Sequence, residues 1–260
     1  VAGVVVVAIL LGKNPMTLFA GLGATSAVLM LVFKDTITGL AAGVRLTSND
    51  MLHKGDWITV KSVDANGIVE DISLTTVKVR NFDNTIVTIS PITLVNGSFQ
   101  NWIGMQKSGG RRVKRVVYFD FRSVRLVDET LKRNLLAKHF ATEDSFKLKE
   151  SLQKAIDKDI QEGKDIEDLK NPATLAPTNL QLYRKFMEKY LRQRPEVNTD
   201  LTLMVRHMEA TQCGLPIEFY FFIKDKVWVN YEHILADIME HAYALANEFG
   251  LKIYEQYPEQ

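Results

Sequence analysis

Five histidines are spread along the chain, at positions 53, 139, 207, 233 and 241. Imidazole is the common zinc ligand and the usual proton carrier near neutral pH, but either role needs partners within reach. His233 and His241 share a helical pattern yet lie eight residues apart. That spacing is about two helical turns, too far for one metal ion. The single cysteine, Cys213, excludes an intramolecular disulfide, and beside Gly214 in an apolar region it reads as a small core residue. No glycine loop is followed by Lys-Ser or Lys-Thr to cradle a phosphate, and no serine sits in a nucleophile elbow. The carboxylates are many, but none reads as lying in an apolar run that would raise its pKa. Enzyme chemistry has no visible seat, so neither an enzyme, a cofactor nor a metal site is expected.

The formal net charge of the 260 residues is +1, which argues against a nucleic-acid partner. The one basic cluster, Arg111, Arg112, Lys114 and Arg115, has no aromatic residues interleaved with it and reads as the solvated start of a strand.

What the chain does offer is an uncharged stretch, Met16 to Phe33. Its length of about 18 residues lets a helix reach across most of a hydrocarbon core of roughly 30 Å. The first half is small, with Gly21, Gly23, Ala24 and Ala27, and the second half is bulky, from Val28 to Phe33. Small residues weaken a helix in water, whereas in lipid they let helices pack closely. Gly23 and Ala24 are therefore expected at contacts with membrane helices or with copies of the same chain. Upstream, 1–12 reads as the end of another transmembrane helix. The chain starts at Val, and is read as the retained part of a longer product. Lys and Arg are in excess after Phe33, which predicts a multi-pass membrane protein whose remainder is cytoplasmic.

Lys34-Asp35 closes the apolar run, and helical spacing resumes with Ile37, Leu40, Ala41 and Val44. The pattern predicts an amphipathic continuation after a bend, completing a segment over 16–50, with Gly39 and Gly43 four apart for helix packing. From 51 to 108 the pattern is of short β-branched runs: 57–60, 68–72, 75–80 and 85–89, with Asp64-Ala65-Asn66-Gly67 as a hairpin signal. This predicts a small barrel or sandwich ending near Asn101-Trp102. Gly109-Gly110 marks a linker. Over 109–260 a strand-helix-strand-strand-helix-strand order predicts an α+β, ferredoxin-like domain, with a polar helical insertion near 141–195. Its last helix, 231–249, carries Ile234, Ile238, Tyr243, Leu245 and Phe249 on the apolar side.

Several of these runs are similar to one family. Gly23 to Val44 with its Gly-Leu-Ala-Ala-Gly-Val ending, Lys-Gly-Asp-Trp-Ile at 54–58, Gly-Ile-Val-Glu-Asp-Ile at 67–72 and Asn-Gly-Ser-Phe-Gln-Asn-Trp at 96–102 resemble the small-conductance mechanosensitive (MscS-like) channels, nearest the bacterial miniconductance type. The resemblance implies a homoheptamer in the bacterial inner membrane, a pore lined by the last membrane helix, an Sm-like β-domain and an α/β vestibule domain. Membrane lipid, the chain's own copies, and permeant ions and small osmolytes are the implied partners, and opening under tension on hypo-osmotic shock the implied activity. By position, one pore-sealing leucine of the family falls on Leu31, the other on Ala27, and the family's bend falls on Lys34-Asp35. Ala27 departs from the pattern, so Val28 or Met30 are added as contributors to the narrowest ring. Two other readings stand beside the channel: a non-conducting membrane-anchored scaffold or osmotic sensor, and an Sm-like RNA-binding ring.

Overall fold

The computed structural model describes residues 14–146 and 176–256, with isolated positions 10, 12, 154, 157, 158 and 161 besides. Most of 1–12, expected to end a membrane helix, and the middle of the polar insertion, with Leu148, Leu152, Ile156 and Ile160, lie outside the described residues. The chain divides into two compact units, Val1–Gly104 and Met105–Gln260.

The first unit opens with α1 (Pro15–Ser48). Asn14 caps it, its side chain accepting from Met16 N at 2.9 Å, and Pro15 occupies the first turn, where a missing N–H costs nothing. At the other end Asp50 takes a left-handed conformation (φ 57°). That turns the chain so that Met51 N donates to Leu46 O and Asp50 N to Thr47 O, a two-bond helix stop. The helix runs through Lys34 and Asp35 without interruption, so the two pieces expected over 16–50 are one helix.

A five-stranded antiparallel sheet follows: β1 (Trp57–Val60), β2 (Ala65–Ile72), β3 (Val77–Asn81), β4 (Ile86–Ile89) and, after the short helix α2 (Pro91–Asn96), β5 (Gln100–Asn101). The pairing order is β4-β3-β2-β1-β5. Alternation sends Ile58, Val60, Val69, Val77 and Val79 inward, each at most 1% exposed, where they join Leu46 of α1 and Leu94 of α2. The hairpin expected at 64–67 is present, with its reversal at the start of that run. A single 3₁₀ turn over Lys61–Val63 with left-handed Asp64 makes the reversal, and Asn66 and Gly67 pair with Thr59 and Ile58 inside the ladder.

The helix α3 (Ile103–Lys107) spans the boundary between the units. The second unit contains β6 (Arg111–Phe119), α4 (Glu129–Ala137), α5 (Asn179–Gln193), β7 (Met204–His207), β8 (Leu215–Ile223) and α6 (Trp228–Glu248). The sheet order is β6-β8-β7, all antiparallel, with one further bridge from Phe119 to Ile253. Odd-numbered residues of β6 and β8, such as Val113, Val117, Phe219 and Phe221, share a core with Leu135 of α4, Tyr183 and Met187 of α5, and Ile238 of α6. Two expected core positions differ. Tyr243 is 42% exposed, because Ala242 and Ala246 take the buried side of α6. Cys213 is also exposed, since Thr211–Gly214 forms the turn before β8 rather than core.

Candidate functional site

The side chains of Ala20 to Thr38 on α1 are exposed without exception. Leu31 is 74% exposed and Val28 61%, so none of the described residues covers the positions singled out for a sealing ring. Ala27 and Leu31 lie one turn apart on one face, with Gly23 a turn above, and Ala24 and Val28 form the adjacent row. At about 1.5 Å per residue, Met16 to Phe33 spans roughly 27 Å. Among the described residues this is the one helix long and apolar enough to cross a membrane. Its hydroxyl at Thr25 is satisfied internally, donating to Gly21 O at 2.9 Å, as hydrocarbon requires of a polar group.

Below the apolar span the helix changes partner. Ala42, Gly43 and Leu46 are buried, while Ile37, Leu40 and Val44 stay exposed. The apolar stripe anticipated at Ile37, Leu40, Ala41 and Val44 is therefore not the face that packs within the first unit. Gly43 lies against the β2–β3 loop, where an added Cβ would stand 2.5 Å from Leu74 O. Of the four residues proposed for helix packing, Gly43 is thus occupied inside its own chain. Gly23 and Gly39 have open space beside them, and Ala24 is exposed. Lys34 and Asp35 are exposed as well.

Within the same unit, two sequence-distant motifs of the β-sheet lock together. Gly55 takes φ 93° and lets the chain turn into β1. Asp56, 5% exposed, accepts from His53 N at 3.1 Å and from Asn101 Nδ2 at 2.8 Å, tying that turn to β5. Trp57 stacks on Trp102 with ring centroids 4.7 Å apart and meets Phe82 edge-on at 5.3 Å. Trp57 Nε1 donates to Asn66 Oδ1 and Trp102 Nε1 to Thr59 Oγ1, each at 2.9 Å. These are packing and hydrogen-bonding roles. They tie β1, β2 and the segment at β5 to one another.

In the second unit the basic run is consumed locally. Arg111 sits over the Tyr231 ring at 4.3 Å, Lys114 lies 3.6 Å from Glu218, and Arg115 lies 4.0 Å from Glu232. Glu218 is a carboxylate the sequence reading passed over: it stands in the apolar strand β8 and its side chain is fully buried. The hydrogen bond from Arg206 holds its carboxyl below the usual range, outweighing the burial that would push it up. A charged residue within Leu215–Ile223, opposite Arg206 and near Lys114 in a predicted sheet, was the available signal. Among the described residues no three His, Cys, Asp or Glu side chains converge as metal ligands.

Comparison with known proteins bears on the same segment. Residues 35–104 match the family model of the mechanosensitive ion channel β-domain. The small-conductance mechanosensitive channel MscMJ of Methanocaldococcus jannaschii is 34% identical over 90 residues, 35% of this chain and 25% of that protein. The large-conductance mechanosensitive channel MscMJLR of the same organism is 30% identical over 145 residues, 55% of this chain and 39% of that protein. The chain thus spans between a quarter and two-fifths of these relatives. The crystal structure of Helicobacter pylori MscS in its closed state superposes with a TM-score of 0.59 at 14% identity, over 96% of this chain and 74% of that one. At that identity the likeness is one of fold. Family model, relatives and fold together support the resemblance to MscS-like channels.

Proposed function

We propose that this MscS-like chain is one subunit of a membrane channel opened by tension, with α1 contributing to the pore wall. One observation carries the reading: α1 is bare and apolar over a membrane-spanning length, yet at its far end Leu46 enters the β-sheet core and Gly43 rests on Leu74. An exposed apolar surface of that length is unfavourable in water and is satisfied by lipid or by neighbouring helices.

In this reading seven copies surround a pore. Leu31, with Ala27 and Val28, forms an apolar ring narrow enough to exclude water, which blocks ions without any charge. Gly23, Ala24 and Gly39 meet adjacent helices, and Lys34 and Asp35 mark the exit from hydrocarbon, the level at which the helix bends in the family. Tension favours the state with the larger area in the bilayer, so no ligand is needed, and ions and small osmolytes leave on hypo-osmotic shock. The excess of Lys and Arg after Phe33 supports a cytoplasmic position for both units in a bacterial inner membrane. An Sm-like closure of the first sheet and a ferredoxin-like second unit belong to the same proposal. The β6-β8-β7 order with the Phe119–Ile253 bridge supports the latter. The miniconductance affiliation rests on the sequence runs alone.

Patch recording from liposomes containing the full-length protein tests the reading. Stepwise currents that appear with suction, and are absent from protein-free liposomes, are the expected result. A correctly assembled oligomer that stays silent up to membrane rupture supports the non-conducting scaffold or sensor instead. RNA binding that weakens steeply with salt supports the RNA-binding ring.

A further inference from the structure

A cleft of about 140 Å³ opens in the second unit beside the end of α4, between the 139–145 segment and α5. Its floor is apolar: Leu182 and Phe186 of α5, with Phe140 meeting Phe186 edge-on at 5.2 Å. Its rim is basic. Lys185 and Lys189, one turn apart on α5, both line it, and so does His139. Like charges at that spacing are mildly unfavourable in a helix unless something offsets them. Neither lysine has an ion-pair partner among the described residues. The carboxylate between them, Glu188, is engaged elsewhere, with Oε1 accepting from Val205 N at 3.0 Å. Glu143 and Asp144 sit in the adjacent turn and do not line the cleft.

Two hydroxyls complete the wall. Ser145 Oγ accepts from Thr142 N at 3.2 Å, and the two hydroxyl oxygens are 3.3 Å apart, so one of the two protons is free to turn to a ligand. His139 holds a left-handed backbone (φ 59°) where glycine is the usual helix stop. The described lining therefore combines two ammonium groups, an imidazole and two hydroxyls with no carboxylate, over a floor of two phenyl rings and a leucine.

We propose that this cleft binds a small phosphate monoester, its dianionic head on Lys185, Lys189 and the hydroxyls, and a short apolar body against Phe140 and Phe186. The volume is about that of a cavity that holds one benzene ring, which limits the body to roughly six carbon atoms. Two ammonium groups match a doubly charged phosphate, and charge-assisted bonds supply the strong contacts. The site stands whether or not the chain conducts ions.

The probe is phenyl phosphate, titrated by calorimetry into the full-length protein in detergent, with inorganic phosphate and phenol as partial probes. Saturable binding with Kd below about 1 mM is expected, and at least tenfold weaker binding of either partial probe. The double substitution K185A/K189A, at exposed positions, should weaken phenyl phosphate at least tenfold without changing oligomer size, and K185R/K189R should retain it. Absence of saturable binding overturns the site. So does binding that K185A/K189A leaves unchanged, or phenol binding as tightly as phenyl phosphate.

Discussion

Gly43 of α1 rests on the backbone of Leu74, so closely that a Cβ at position 43 would stand 2.5 Å from the Leu74 carbonyl oxygen. At position 39, one turn earlier, a Cβ would meet nothing within 4 Å beyond its own helix among the described residues. Alanine in place of glycine favours a helix by about 1 kcal/mol. At Gly43 a collision with backbone costs roughly 1–3 kcal/mol against that gain. Gly43→Ala should therefore lower the melting temperature of the detergent-solubilised protein or loosen the seat of α1. Gly39→Ala should be neutral or stabilising unless a neighbouring helix occupies the space. A smaller oligomer in Gly39→Ala would reveal such a neighbour. Equal melting temperatures for the wild type and Gly43→Ala would remove the Leu74 contact from the coupling between α1 and the sheet.

Leu31 stands 74% exposed on the same face as Ala27. In a homo-oligomer each substitution is repeated around the ring. Leu31→Ser should widen and wet the constriction, so patches should open at lower suction and cells should leak. Leu31→Val keeps the ring apolar and should move the threshold much less. A wild-type threshold in Leu31→Ser combined with leakage in Val28→Ser or Met30→Ser would rotate the pore face by about one residue. No change in any of the three would rule out an apolar gate on this helix.

Gly67 lies inside β2, paired with Ile58 on one side and Asn81 on the other. An added Cβ would collide with the Arg80 carbonyl on β3. Gly67→Ala should destabilise the first unit by about 3 kcal/mol, since the obstacle is backbone and cannot rotate away. Thermal unfolding followed by circular dichroism checks this. A loss below about 0.5 kcal/mol would mean the ladder adjusts more freely than close packing implies.

Glu218 bonds Arg206 Nε at 2.5 Å and lies 3.6 Å from Lys114 Nζ. Its pKa is lowered from the ordinary 4.5 in the folded protein. A carboxyl depressed on folding stabilises fully above its unfolded pKa, and that stabilisation fades as pH falls through the folded value. Stability should therefore be flat in this respect above about pH 4.5 and decline below it. Glu218→Gln should lower the melting temperature at pH 7 and flatten the acid slope, because Arg206 and Lys114 lose their counter-charge under both conditions. An identical acid slope in wild type and variant would show that other carboxylates govern acid sensitivity.

Much of the secondary structure was legible because its causes are local. β-branched alternation marks Trp57–Val60 and Val77–Asn81; helical spacing marks Asn179–Gln193 too, but that helix, expected within a polar insertion near 141–195, packs Leu182, Tyr183 and Met187 into the core. The apolar helix was legible for the same reason: an uncharged stretch from Met16 to Phe33 needs no partner to be recognised.

Other features depend on partners that local patterns do not name. Of the hairpin signal at 64–67, left-handed Asp64 completes the reversal, while Asn66 and Gly67 are already paired in the ladder. Gly67 is glycine because β3 approaches it. Lys34-Asp35 closes the apolar run and reads as a bend, yet charges on an exposed helix face do not interrupt its backbone hydrogen bonds, and α1 runs on to Ser48 as one helix.

The sequence by itself determined where apolar surface must be buried and with what period, since the hydrophobic effect and backbone sterics act residue by residue. Tertiary structure alone decided which surface covers which. It buried Ala42, Gly43 and Leu46 rather than Ile37, Leu40 and Val44, left Cys213 in water, and buried the side chain of Glu218. Each outcome turns on groups far along the chain: Leu74 for Gly43, Arg206 and Lys114 for Glu218. Burying a charge or seating a glycine is favourable only when such a partner arrives, and its arrival is a property of the folded chain.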